Sequence, residues 1–198
     1  MRLQGARVVL TGGTGTLGSE LKPLLEERGS FVIAPTRGEM DINNGHSVSK
    51  FFAEGRGRGC DMLIHCAAYT DVPNAQLPAN HRKVINTNIL GTGYLSSWAK
   101  QNHFKMVYIS TDYVYEGTKG DALTKVFTDV YTSKDWVDII AGKIIDKLGD
   151  TGVYNVGTER KSLKDLAVQE YPEVEDLDLN ILDFGFNYPK DSSMRVDT

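Results

Sequence analysis

The stretch that most constrains this chain is Arg7-Val-Val-Leu-Thr11-Gly12-Gly13-Thr14-Gly15-Thr16-Leu17-Gly18. A short apolar run enters a glycine-rich turn and leaves it as a helix, with Leu17, Leu21, Leu24 and Leu25 spaced along one side. Gly12 reaches backbone angles closed to other residues, Gly15 leaves no side chain between backbone and a pyrophosphate, and Gly18 lets helix and strand approach closely. The free N–H groups at the start of the helix then face the anion. Glycine spacing alone is a weak signal. Here the strand before it and the helix after it are both present, so the turn reads as a dinucleotide-binding turn. A tight strand–helix connection that binds nothing is the plain alternative.

The rest of the chain continues the alternation. Gly29 ends the first helix, and Phe31-Val-Ile-Ala34 is a second strand. An acidic residue directly after such a strand usually takes the ribose hydroxyls, and none stands there. Arg37 does, which points to a 2′-phosphate and so to NADP over NAD; a solvated surface arginine is the other account. Asp41 and Ile42 fall where adenine would lie, with Asp41 accepting from a ring amine or capping the next turn. Val48, Phe51 and Phe52 form a brief helical stripe, and Asp61 to Ala68 reads as a parallel strand covered on both faces.

At the end of that strand, Ala67 and Ala68 leave room for a sugar to pass close to the backbone; close helix–sheet packing explains them equally. His65 lies within the strand and reads as a satisfied core histidine. From about Pro78 to Asn102 the pattern predicts one long helix carrying Val84, Ile85, Asn88, Ile89, Leu95, Trp98 and Ala99, bent near Gly91-Thr-Gly93. Asn88 is polar among apolar neighbours and therefore needs a buried partner. Lys105 to Ile109 is the next strand and ends in Ser110-Thr111-Asp112-Tyr113, hydroxyls at the carboxyl edge where open α/β sheets place their ligands. These alternations predict a Rossmann-like α/β fold, a doubly wound parallel sheet with a reduced C-terminal lobe. The division expected is residues 1–121 for the dinucleotide-binding domain and 122–198 for remnant substrate-lobe segments. In the second part, a strand-like run at Lys125–Thr128, a helix over Asp135–Leu148, a strand at Val153–Gly157 and a helix capped by Ser162 are expected.

Composition removes several other classes. With 198 residues, 40% hydrophobic and 24% charged, the chain suits a globular core. A net charge of -4 gives no basic surface for nucleic acid. Cys60 and Cys66 are too few for a disulfide scaffold, and His46, His65, His81 and His103 are dispersed without metal-ligand spacing. No run reaches transmembrane length and no signal-peptide core follows Met1, so no membrane contact and a cytoplasmic setting are expected.

Taken together, several segments resemble the extended short-chain dehydrogenase/reductases, and within them the nucleotide-sugar reductases and epimerases of the dTDP-4-dehydrorhamnose reductase type. They are Thr11 to Gly18, Met40-Asp-Ile42, His65-Cys-Ala-Ala-Tyr-Thr-Asp71, Asn88-Ile-Leu-Gly-Thr92 and Ser110 to Thr118. Trp136-Val-Asp138, Gly152 to Thr158 and Pro189 to Ser193 are similar to late segments of such proteins. The resemblance implies an NAD- or NADP-dependent reduction of a 4-keto nucleotide sugar. It implies Gly12, Gly15 and Gly18 as the pyrophosphate turn lined by Thr14, Thr16 and Leu17, with Asp41 and Ile42 by the adenine. Ala67, Ala68 and Tyr69 would back the riboses and nicotinamide, Asn88 would support the active-site strand, and Thr111 would bind the reacting carbonyl.

One departure stands out. The family carries a Tyr-x-x-x-Lys pair on a later helix, where the lysine lowers the tyrosine's pKa and the tyrosine exchanges a proton with substrate. Here Gly120 runs almost directly into Ala122-Leu-Thr-Lys-Val-Phe-Thr-Asp129, which resembles a much later stretch. Tyr115 and Lys119 have the required spacing, although Gly117 between them disfavours a helix. They are the candidate catalytic pair beside Thr111, with Tyr113 or water as the other sources of the proton. The alternative reading is a non-catalytic dinucleotide-binding or regulatory protein on a shortened reductase fold. Loss of the downstream strand would leave a sheet edge for a second copy, so self-association is expected.

Overall fold

The computed structural model describes residues 3–110, 131–132, 137–154, 156–157, 161–162 and 191–192. They fall into two units, Met1–Ile109 with Ile145–Asp150, and Ser110–Ile144 with Thr151–Thr198.

In the first unit, β1 (Arg7–Thr11), β2 (Phe31–Ile33), β3 (Met62–His65) and β4 (Lys105–Tyr108) form a sheet of order β2-β1-β3-β4. Every pairing is parallel, with Val8 opposite Val32 and Met62, and Ile64 opposite Leu10 and Val107. Val8, Val9, Leu10, Met62, Leu63 and Ile64 are wholly buried, which is why these central strands read as unbroken apolar runs. Phe31 on the edge strand β2 is 66% exposed, as a residue at a sheet margin can be. The strand order reverses direction between β1 and β3. Sheets of this kind accept ligands beyond the carboxyl ends of the strands at such a reversal.

The connections are α1 (Thr16–Glu27), α2 (Gly45–Ala53), α3 (Val72–Ala75), α4 (Pro78–Val84), a π-helical segment (Ile85–Gly91) and α5 (Thr92–Gln101). Gly29, at φ +82°, stops the first of these as its sequence predicts. Asn44 caps α2, its side-chain oxygen accepting from the backbone N–H of His46 at 2.9 Å and of Ser47 at 3.2 Å. Val48, Phe51 and Phe52 then join Val9, Met40, Leu63 and Leu95 in one buried cluster. Phe52 stacks on Trp98 and Phe104 with ring centroids 6.2 and 5.3 Å away, and this aromatic layer fixes α2 against α5.

The single long helix expected over residues 78–102 is present as three consecutive helical pieces. The wider π turn is the difference, and it changes which residues face inward. Leu95 and Ala99 are buried as expected, whereas Ile85 and Ile89 are exposed. A stripe written with one α-helical period does not carry through a π turn, whose extra residue rotates everything before it. Gly91 closes the segment against Ile42, whose carbonyl oxygen would lie 3.2 Å from any added Cβ.

In the second unit, β5 (Tyr131–Thr132), β6 (Lys161–Ser162) and β7 (Asp191–Ser192) form a small sheet of order β6-β5-β7. β5 runs antiparallel to β6 and parallel to β7. The helix expected over Asp135–Leu148 is α6 (Val137–Lys147), whose residues up to Ile144 belong to this unit and whose last turn from Ile145 belongs to the first. One expectation is corrected. Residues 153, 154, 156 and 157 are not in a strand, and Val153 is 89% exposed, so its apolar side chain finds no sheet to cover it. Ser162 pairs with Tyr131 in the β5–β6 ladder. The expected helix at Leu163–Gln169 and strand at Lys125–Thr128 lie outside the described residues. Among the described residues, no helix is long and apolar enough to cross a membrane.

Candidate functional site

The turn after β1 is shaped by backbone meeting backbone. Gly12 sits at φ +72°, and its carbonyl accepts from Gly15 N–H at 2.9 Å. A Cβ on Gly12 would fall 2.7 Å from the Ala67 nitrogen, and one on Gly18 would fall 2.2 Å from the Gly12 oxygen. The two roles read from sequence, a left-handed turn residue and a close helix–strand approach, are therefore both realised. Gly15 is the N-cap of α1 and supplies no side-chain cap, and no acidic residue stands in the first turn. The leading N–H groups of α1 thus keep their capacity for an outside anion, and the helix dipole adds to it. Thr14, Gly15 and Thr16 are exposed around this opening, and Leu17 is half-buried beneath it.

Past β2 the chain is ordered by carboxylates. Asp41 accepts from Asn43 N–H at 3.0 Å, and its other oxygen lies 3.5 Å from the Arg37 guanidinium. Asp41 therefore does cap the next turn, and it also holds Arg37 beside the segment leading to Ile42. Sequence inspection missed Glu39. Its carboxylate accepts from Thr36 N–H at 2.8 Å and from the Thr36 hydroxyl at 2.9 Å, and it pairs with Arg56. The Thr36 backbone bond, then its hydroxyl, then Arg56, hold the carboxyl below its usual pKa. The signal was present as Thr36-x-x-Glu39, a spacing that lets a glutamate reach back to the first residue's N–H.

At the carboxyl end of β3, His65 is 1% exposed. Its Nδ1 lies 2.7 Å from Thr11 Oγ1 and its Nε2 lies 3.0 Å from Thr92 Oγ1, so it is a satisfied core histidine, as expected. Burial pushes its pKa down to about 4. Asn88 is half-buried and finds its partner in the backbone of Tyr69, accepting from its N–H at 2.7 Å and donating to its carbonyl at 3.1 Å. The amide thus fixes the strand exit that begins at Ala67. The Lys83 ammonium lies 5.0 Å from the centre of the Tyr69 ring. Burial raises the Cys66 thiol to about 12, which leaves it without nucleophilic character at neutral pH.

The structure therefore brings Gly12 against Ala67 and Asn88 against Tyr69, at the exit of the same strand, and it brings Ile42 against the π segment that carries Asn88. Thr111, Tyr115 and Lys119 lie outside the described residues. Among the described residues, no three His, Cys, Asp or Glu side chains converge as metal ligands.

A parallel sheet with this turn at its switch point defines a Rossmann-like α/β protein of the dinucleotide-cleft architecture. The chain belongs to the RmlD substrate binding domain family, whose sequence pattern matches residues 6–134. It is 35% identical over 114 residues to the dTDP-4-dehydrorhamnose reductase of Streptomyces griseus, covering 58% of this chain and 36% of that protein. It is 32% identical over 116 residues to the enzyme of that name from Mycobacterium tuberculosis, covering 59% of this chain and 36% of the relative. The chain thus spans little more than a third of the length of these curated relatives. Among solved structures, the fold superposes on a Clostridium acetobutylicum dTDP-4-dehydrorhamnose reductase with TM-score 0.82 at 19% identity, covering 96% of this chain and 90% of the other. The Bacillus anthracis enzyme in complex with NADP gives TM-score 0.79 at 21% identity, covering 98% and 92%.

Proposed function

We propose that this chain is an NADP-dependent reductase of a 4-keto nucleotide sugar, of the dTDP-4-dehydrorhamnose reductase kind, working in the cytoplasm. The observation that carries the reading is the glycine cradle, in which Gly12 and Gly18 admit no side chain and α1 starts without a cap. Those are the conditions for close approach of a pyrophosphate to backbone N–H groups. When bound, the nicotinamide supplies the hydride that turns the ketone into an alcohol. The chain's part is to hold and to protonate. Gly12, Thr14, Gly15, Thr16, Leu17 and Gly18 grip the phosphates, Asp41 and Ile42 flank the adenine, and Ala67, Ala68 and Tyr69 back the riboses and nicotinamide. Asn88 holds that backing in place through Tyr69. Thr111 donates a hydrogen bond to the keto oxygen, Tyr115 delivers the proton to it, and Lys119 keeps the phenol acidic. Residues 1–121 are the cofactor-binding domain in this reading, and 122–198 contribute to the sugar side.

Arg37 tests the cofactor choice. Its guanidinium is 74% exposed and 3.5 Å from Asp41, so a 2′-phosphate can take it as a partner without desolvating a buried charge. Titration by quenching of tryptophan fluorescence is expected to show saturable binding with NADPH preferred over NADH. Arg37→Ala should weaken NADPH by roughly tenfold, the worth of one charge-assisted hydrogen bond, and leave NADH unchanged. Equal losses for both cofactors would remove Arg37 from the 2′-phosphate site, and no saturable signal from either would end the cofactor reading.

The second reading, a dinucleotide-binding protein without catalysis, is favoured by one feature. Gly117 stands between Tyr115 and Lys119, where a helix is required to put both on one face. The readings part in a single assay. Oxidation of bound NADPH on adding a dTDP-4-keto sugar supports the reductase, and stoichiometric binding with no oxidation by any such ketone supports the second.

A further inference from the structure

The hydrogen bonds around His65 have a direction that can be worked out atom by atom. Thr92 Oγ1 donates to the Asn88 carbonyl at 2.9 Å, so its proton is committed and it can only accept from the imidazole. The proton of His65 is therefore on Nε2, 3.0 Å away, and Nδ1 is a bare lone pair. Thr11 must then donate its hydroxyl proton to Nδ1 across 2.7 Å. That leaves the Thr11 oxygen as acceptor for the Ala67 N–H, at 3.4 Å. The result is a one-way chain from Ala67 N–H through Thr11, His65 and Thr92 to the Asn88 carbonyl. The Asn88 side chain in turn brackets the backbone of Tyr69. Both ends of the chain thus return to the same short segment, Ala67 to Tyr69. Thr11 also immediately precedes Gly12, where an added Cβ would fall 2.7 Å from the Ala67 nitrogen.

We infer that His65 is a positioning residue for the cofactor cleft: held as the Nε2–H tautomer, it locks the strand exit Ala67–Tyr69 to the glycine turn through Thr11 and to the π segment through Thr92. The inference rests on the cofactor reading above for what the cleft holds. The lock itself is a property of the free protein. A hydrophobic filler at position 65 would preserve packing and lose the lock, because neither threonine hydroxyl would have a partner there. Glutamine places an amide nitrogen near the position of Nε2 and retains the Thr92 half.

Long-range proton–nitrogen NMR correlation of histidine-labelled protein, with His65 assigned by its loss in His65→Gln, is expected to show a single neutral Nε2–H ring. An Nδ1–H ring or a rapid average of the two would overturn the inference. NADPH titration supplies the second arm. His65→Leu should weaken binding by about tenfold and His65→Gln by only about threefold, in line with two lost hydrogen-bonding links against one. Equal affinity for the two variants would mean that His65 only fills space, and it would sink the inference while leaving the cofactor reading intact. If wild-type protein does not bind NADPH, the cofactor reading fails and the positioning role falls with it. Hydrogen exchange at the Tyr69 amide, faster in His65→Leu than in wild type, would then still report the lock in the free protein. Should either variant fail to fold, Thr92→Val takes its place: it removes the acceptor for Nε2–H, and unchanged NADPH affinity there would also overturn the inference.

Discussion

Gly18→Ala is expected to abolish cofactor binding and to lower the melting temperature. The added Cβ would lie 2.2 Å from the Gly12 oxygen, 2.8 Å from the Gly12 carbonyl carbon and 2.8 Å from the Gly13 Cα. All three are backbone atoms, so no rotamer change relieves the contact, and α1 must move away from the turn. Overpacking against flexible side chains already costs about 1–3 kcal/mol, and a backbone clash belongs at or above the top of that range. Binding suffers separately. The N–H groups that open α1 must converge on the phosphates, and each charge-assisted bond lost removes roughly ten- to a hundredfold in affinity. Gly93→Ala is the matching control, since a Cβ there meets nothing within 4 Å and α5 gains a better helix former. The pair should differ clearly in thermal melts and in NADPH titration. A Gly18→Ala protein that melts and binds like wild type would remove the structural basis of the proposed cleft.

The glycine turn was legible because its demands are local: the left-handed Gly12 and the crowded Gly18 both follow from a strand that turns at once into a helix. The central strands were legible for a similar reason, since burial on both faces writes an unbroken apolar run. The turn at Gly29 and the stripe of Val48, Phe51 and Phe52 belong with them. What sequence spacing could not supply was the company of a polar residue far along the chain. His65 announces only that it is buried. Its partners Thr11 and Thr92 lie 54 and 27 positions away, and nothing local selects them over other hydroxyls. Asn88 gave half a signal, because a polar side chain on an apolar face must be paired, but the pairing with the Tyr69 backbone needed the fold. The π segment was illegible in another way. Periodicity distinguishes a helix from a strand, and a one-residue change of pitch over Ile85–Gly91 lies below what an apolar stripe can report. The Thr36-x-x-Glu39 spacing signals a capping carboxylate ahead of a helix, and here the same reach closes a loop.

Lowering the pH from 7 to 4.5 is expected to destabilise the wild-type protein by about 2 kcal/mol through His65 alone. Burial is the cause that lowers this imidazole from 6.5 to about 4, and its neighbours Thr11, Thr92 and the Tyr108 ring carry no charge at these pH values. The sign follows from proton binding. Above about 6.5 the ring is neutral in both folded and unfolded chains, and its contribution to stability is complete. Between about 6.5 and 4 the unfolded chain takes up a proton that the folded chain refuses, so stability is lost progressively as pH falls. Glu39 and Asp71, whose carboxyls are lowered by hydrogen bonds to Thr36 and Asn74, add acid sensitivity of the same direction. They are common to wild type and His65→Gln, and subtraction removes them. Urea unfolding of the two proteins at pH 7 and pH 4.5 isolates the imidazole: the wild type should lose about 2 kcal/mol more than the variant over this interval. Parallel losses would show that the ring accepts its proton inside the folded protein at ordinary cost. That outcome is incompatible with a lone pair on Nδ1 already taken by the Thr11 hydroxyl, because a second ring proton would have to displace it.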